Sequence, residues 1–122
     1  MPRHAAFQEV FTRLKGLLLP YAARLRVAAD KPTNYCLEAP ASVRFPKGLF
    51  FGATRLGKAY VSYYLMAVYM YPELLDSISP ELRARMQGKS CFNFKTLDAT
   101  LCKELGGLTK KSFAHYRKRN LV

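Results

Sequence analysis

Phe7, Val10, Phe11, Leu14, Leu18, Tyr21 and Leu25 recur at steps of three and four residues. That spacing lays one apolar stripe along an amphipathic helix. Arg13, Lys15 and Arg24 fall off the stripe, toward water. Pro20 lies inside the run and predicts a kink there, or the end of the helix's first part, because its ring removes an amide donor and crowds the preceding turn.

After Val27 the period changes. Asp30-Lys31-Pro32-Thr33-Asn34 is turn chemistry. Its flanks, LRVAA and YCLEA, predict two short strands, with continuation of the first helix through LRVAA as the alternative. A loop marked by Pro40 and Pro46 follows. GLFFGAT and KAYVSYYLM are β-rich runs separated at Arg55-Leu56-Gly57, which predicts a hairpin. In the second run a period of two sends Ala59, Val61, Tyr63 and Leu65 to one face and Tyr60, Ser62, Tyr64 and Met66 to the other. The Tyr60 face, with its hydroxyls, is expected to be the wet or ligand-facing side.

Pro72-Glu73 and Ser79-Pro80-Glu81 each open a short helical segment. The second has a serine cap, proline at the first helical position and an acid near the positive end of the dipole. Gly88 is expected to stop that helix, and SCFNF alternates as a strand. Thr96 then caps a helix through Leu97, Leu101, Cys102 and Leu105, which Gly106-Gly107 ends. LTKKSFAHYRKR forms a last helix anchored by Leu108, Phe113 and Tyr116. Strands gathered in the middle and helices at the ends predict an α+β fold. The expectation is a largely antiparallel sheet of about five strands packed by an N-terminal helix and C-terminal helices, one domain spanning residues 1–122.

Half the residues are hydrophobic and 13% aromatic, which excludes a disordered chain. The charge is lopsided: 20 Lys and Arg against 8 Asp and Glu give a formal +12. Such a field attracts phosphate polymers and anionic membrane surfaces, or serves simple solubility. Only the C-terminal segment is dense in cations, with Lys110, Lys111, Arg117, Lys118 and Arg119 around Phe113 and Tyr116. The rings, three apart, dock the helix and leave the charges outward, either as a phosphate-contacting face or as a solvated end that complements the dipole. Cys36, Cys91 and Cys102 are an odd number and read as reduced thiols of a cytoplasmic protein. GLLLPYAARL is too short to span a bilayer, so no membrane partner is expected.

No triad, phosphate loop or metal-spaced cluster of His and Cys stands in the chain, so no catalytic residue, metal or cofactor is expected. The densest aromatic group is Tyr60, Tyr63, Tyr64, Tyr69 and Tyr71. With Arg55, Lys58 and Lys89 nearby it could form a stacking platform, or simply reflect the suitability of tyrosine for strands. Gln87-Gly88-Lys89-Ser90 has a helix before it and a strand after it, the reverse of a phosphate loop; its amides could still receive a small anion. Lys89 two residues from Cys91 could lower that thiol's pKa, an enzymatic alternative to a buried structural cysteine.

GKAYVSYYLMAVYMYPELL, SPELRARMQGKSCFNFK and LTKKSFAHYRK together resemble the YdhG-like bacterial proteins, a family of unknown function, over most of the chain. The resemblance implies a secretion-chaperone-like α+β domain, and some relatives are described as frataxin-like iron chaperones. Iron of that kind is held by many carboxylates. Glu9 is the only acid on the N-terminal helix, so no iron-site residue carries over.

The functional expectation is a small binding domain without an enzymatic site. It would take a protein partner or a small anionic ligand on the tyrosine-rich sheet face, through Lys58, Tyr60, Tyr64, Lys89 and Ser90. The alternative is non-specific nucleic-acid binding through the basic surface. Monomer and homodimer both remain open.

Overall fold

Pro32 and Thr33 join two strands, as their turn chemistry predicts: β1 (Arg26–Lys31) and β2 (Asn34–Ala39) pair antiparallel with Lys31 opposite Asn34. The computed structural model describes residues 2–122, with side chains from residue 6 onward. The sheet continues through β3 (Leu49–Leu56), β4 (Val61–Leu65), β5 (Met86–Gln87) and β6 (Cys91–Phe94). Its six strands run in the order β1-β2-β3-β4-β6-β5, and every pair is antiparallel. The extra strand beyond the expected five is β5, only two residues long and too short to leave a periodic signal.

Helix α1 (Pro2–Leu18) buries Phe7, Val10, Phe11, Leu14 and Leu18, the predicted stripe. At Leu19 it tightens into a 3-10 turn, Leu19–Arg24, with Pro20 near its start. A proline is tolerated there because the first amides of a helical turn have no partner to lose. α1 lies across the inner face of β3, where a side chain in place of Gly52 would meet Leu18 Cδ2 at 3.1 Å and Tyr64 O at 3.0 Å.

Three expectations are corrected. The β3–β4 turn is Gly57–Tyr60, closed by Gly57 N donating to Tyr60 O at 3.0 Å, so β3 keeps Arg55 and Leu56 and the turn takes Lys58 and Tyr60. Residues following Leu65 form helix α2 (Met66–Met70) instead of prolonging the strand. Tyr71 N donates to Ala67 O at 2.7 Å, the bond to the fourth residue back that defines a helical turn, and Ala67 and Val68 are both buried. Finally, Gly106-Gly107 ends nothing: α4 runs unbroken from Ala99 to Lys118, capped by Asp98, whose carboxylate accepts from Leu101 N at 2.7 Å, where Thr96 was expected. Two glycines weaken a helix by about 1 kcal/mol each. Burial of Leu101, Leu105, Leu108, Phe113 and Tyr116 outweighs that.

Between these elements lie a 3-10 turn at Pro72–Leu75 and the four-residue helix α3 (Pro80–Arg83). Ser79 caps α3 as expected, its hydroxyl accepting from Leu82 N at 3.1 Å. A further expectation is corrected at Gly88: α3 already ends at Arg83, and Gly88, with φ 78°, turns the chain from β5 into β6.

Period two is kept within the sheet. Tyr35, Leu37, Val61, Tyr63, Leu65, Phe92 and Phe94 face the helices and are buried. Asn34, Cys36, Arg55, Ser62, Tyr64, Cys91 and Asn93 share the opposite face through the strand registers. The fold is α+β, an antiparallel sheet backed on one side by its N- and C-terminal helices.

Candidate functional site

The five residues picked from the sequence fall at two ends of β4. Lys58 and Tyr60 sit in the β3–β4 turn. Lys89 and Ser90 sit in the β5–β6 turn, where Ser90 O accepts from Leu65 N at 3.1 Å. From Tyr60 to the level of Leu65 is five residues, roughly 16 Å at the rise of a strand. Tyr64 points to the open face, with Arg55 Cζ 5.9 Å from its ring centroid. One ligand pocket cannot use all five.

The tyrosine platform is dispersed for a related reason. Tyr63 faces the core, fully buried, and its phenol lies 2.7 Å from Thr109 Oγ1. Thr109 Oγ1 is itself a donor to Leu105 O at 2.8 Å, so Tyr63 donates and Thr109 accepts. Desolvation holds that phenol above its ordinary pKa, the bond to Thr109 offsetting only part of the shift. Tyr71 stacks on His115 with ring centroids 5.1 Å apart, and Arg119 Cζ lies 4.1 Å from its centroid. Tyr69, on α2, is the exposed one of the five, at 55%.

Tyr69 borders a hollow of about 520 Å³. α2 supplies Val68 and Tyr69, the following turn Pro72 and Leu75, α3 Arg83, and the β5–β6 hairpin Met86, Gly88 and Lys89. Two cations therefore meet over an apolar floor. Arg83 Nη2 donates to Leu75 O at 2.5 Å, which fixes the guanidinium at the rim. Lys89 Nζ stands 5.9 Å from the Tyr69 ring centroid, within cation–π range. The ion pairs among the described residues are Lys15–Asp30 and Arg26–Glu38, so neither Arg83 nor Lys89 is neutralised by a carboxylate. Of the predicted residues only Lys89 lines this hollow. Tyr69 and Arg83 were missed as its partners, since 14 residues separate them in sequence and they lie on two different short helices, α2 and α3.

A second, shallower hollow of about 330 Å³ lies on the open face of the sheet, lined by Cys36, Phe50, Ala53, Arg55 and Tyr64. Beside it Ser62 Oγ donates to Asn93 Oδ1 at 2.7 Å and Asn93 Nδ2 donates to Gln87 Oε1 at 2.5 Å. Cys91 Sγ, 3.3 Å from Asn93 Oδ1, joins this polar chain. The lowered thiol pKa considered for Cys91 is corrected: burial pushes it up, and Lys89 is directed over Tyr69 instead. Burial pushes Cys36 up as well.

No group of three or more His, Cys, Asp or Glu among the described residues could hold a metal ion, and no helix among them is long and apolar enough to cross a membrane. Compared with protein-family models, curated proteins and solved structures, the chain has no match. The site must be argued from its own chemistry.

Proposed function

We propose that this protein is a binding domain for a small organic anion, held in the hollow between Tyr69, Arg83 and Lys89. The carrying observation is the pair of uncompensated cations over a floor of Val68, Leu75 and Met86. The volume, about 520 Å³, lies in the range of ligand clefts. A guanidinium and an ammonium favour a carboxylate or phosphate. The apolar floor and the Tyr69 ring favour a ligand whose remainder is flat or aliphatic. Free thiols at Cys36, Cys91 and Cys102 are compatible with a cytoplasmic setting, which belongs to the same proposal. The antiparallel sheet with terminal helices is compatible with the YdhG-like resemblance, which belongs to the same proposal.

Amide chemical shifts followed during titration with aromatic and aliphatic carboxylates and phosphomonoesters, each beside its uncharged amide or alcohol analogue, test the assignment. Saturable shifts confined to residues 68–75 and 83–90, absent for the neutral analogues and lost in R83Q and K89Q, are expected. Shifts centred on Tyr64 and Arg55, or equal binding of the neutral analogues, would reject the site.

A further inference from the structure

We infer that the outer face of α4 is a contact surface for the phosphodiester backbone of a nucleic-acid duplex. The inference is independent of the anion hollow and rests on a different part of the molecule. Lys103, Lys110, Lys111, Arg117 and Lys118 are all exposed. At 3.6 residues per turn they fall within an arc of about 120° and extend roughly 22 Å along the axis.

Their arrangement is ordered by sevens. Lys103, Lys110 and Arg117 form one row, and Lys111 and Lys118 a second. Gly107 and Ala114, also exposed and also seven apart, lie between the rows. The result is a shallow trough of small residues with cations on both margins, into which a charged strand can come close to the helix backbone. The one acid inside α4, Glu104, is turned to Ser79, receiving its amide and its hydroxyl at 2.6 Å each. Among the described residues none of the five cations is within ion-pair distance of a carboxylate. Lys111 makes one weak contact, donating to Ser77 Oγ at 3.3 Å.

Charge complementarity selects the occupant. A protein partner needs apolar area at the centre of its interface, and charged residues are depleted there. This face offers no apolar side chain larger than Ala114. Interfaces with nucleic acid are polar and strongly positive, and their energy comes largely from counterions released as phosphates are neutralised. The trough carries no Asn or Gln to read adenine and no aromatic residue to stack on a base, so its five cations are assigned to the phosphodiester backbone.

The test is fluorescence anisotropy of the full chain with labelled DNA and RNA duplexes of about 20 base pairs, over a salt series. With about five phosphates neutralised, the log–log salt slope is expected near −4.5, so affinity falls on the order of 500-fold between about 50 and 200 mM salt. Replacing Lys103, Lys110, Lys111, Arg117 and Lys118 by glutamine should remove most of that slope. The same net change placed at Arg24, Lys31, Arg44, Lys47 and Lys58 should leave it nearly intact. All ten side chains are exposed, so folding should survive; should it fail, K110E/K111E repeats the loss with two substitutions. Whichever duplex binds tighter identifies the polymer. Absence of a complex at low salt, equal weakening by the two sets of substitutions, or equally tight binding of a polyglutamate of matched charge would overturn the inference.

Discussion

The phenol of Tyr116 donates to the carbonyl oxygen of Phe50 at 2.6 Å, joining α4 to the middle strands of the sheet. The acceptor stands where the register of β2 and β3 slips: Leu37 is opposite Gly52 and Glu38 is opposite Phe50. The additional residue, Phe51, turns into the core and meets the edges of Tyr116 and Phe113 at centroid distances of 5.3 and 6.0 Å. A bulge of this kind disturbs the ladder locally, and Tyr116 supplies the Phe50 carbonyl with a donor from α4. Y116F keeps the ring packing and removes only the donor. It should destabilise the fold by about 1–2 kcal/mol, seen as a lower urea midpoint at unchanged slope. An unchanged midpoint would mean that the carbonyl finds another partner.

Ser79 and Glu104 form a second cross-link, between the start of α3 and the middle of α4. Ser79 N and Oγ both donate to the Glu104 carboxylate at 2.6 Å, while Ser79 Oγ accepts from Leu82 N at 3.1 Å. The cap of α3 is thus oriented from outside the helix. S79A removes two of these bonds and should cost about 1–2 kcal/mol, as cap losses do. E104Q keeps the shape and loses the charge-assisted part of the interaction. Because the two changes act on one network, the double variant should lose less than the sum of the singles, a non-additivity readable in thermal or urea melts. Strict additivity would show the two residues to be energetically independent.

High pH should unfold this protein through its phenols. Burial holds Tyr63 and Tyr116 above the ordinary phenol value. A phenol that ionises more readily in the unfolded chain makes the unfolded state the poorer proton binder as pH rises, so stability falls with pH there. The contribution is complete below about pH 10, the unfolded phenol value, and is lost progressively above it. Cys36 and Cys91, shifted in the same direction, start the decline near about pH 8.5. Y63F removes one phenol while Thr109 keeps its bond to Leu105 O. Its unfolding free energy plotted against pH should be flatter than the wild type's above pH ~10, and parallel curves would exclude Tyr63 as a source.

The glycine pair in α4 allows two near-identical substitutions to be compared. Nothing lies within 4 Å of a methyl group added at Gly107, whereas one at Gly106 meets Leu17 Cδ2 at 3.3 Å. G107A should stabilise by about 0.5–1 kcal/mol, because alanine loses less backbone freedom in a helix. G106A should gain less than G107A, as part of the same benefit is spent in shifting Leu17. Thermal midpoints ranked in the reverse order would contradict the packing of α1 on α4.

Those two glycines also mark where the sequence stopped being legible. Local rules identified α1, the Pro32-Thr33 turn, the Ser79 cap and the inward set of β4, since each depends on near neighbours. They failed at Gly106-Gly107, where packing of Leu101, Leu105 and Leu108 overrides propensity. They failed again after Leu65, where an apolar run that also suits a strand buried on both faces forms a helical turn instead. The candidate site was legible only in Lys89. Its companions Tyr69 and Arg83 lie on two separate short helices whose meeting no local pattern shows, and Tyr63 was grouped with surface rings although its own alternation placed it inside.

The cysteines give the last prediction, one of rates. Burial raises the pKa of Cys36 and Cys91, so less thiolate is present at neutral pH than on an unperturbed cysteine. Thiolate is the reacting species in alkylation. Both residues are half-buried, which slows approach of the reagent as well. Mass spectrometry resolving each peptide should find iodoacetamide addition at Cys36 and Cys91 slower than on a free-cysteine peptide at neutral pH. The rate should climb with pH past the point where the peptide's own rate levels off, since the folded thiols ionise later. In urea the difference should vanish, because exposure restores the ordinary pKa. Addition to Cys91 faster than to the peptide would reverse the reading of its environment, put a cation beside the sulfur, and reopen a nucleophilic role for that residue.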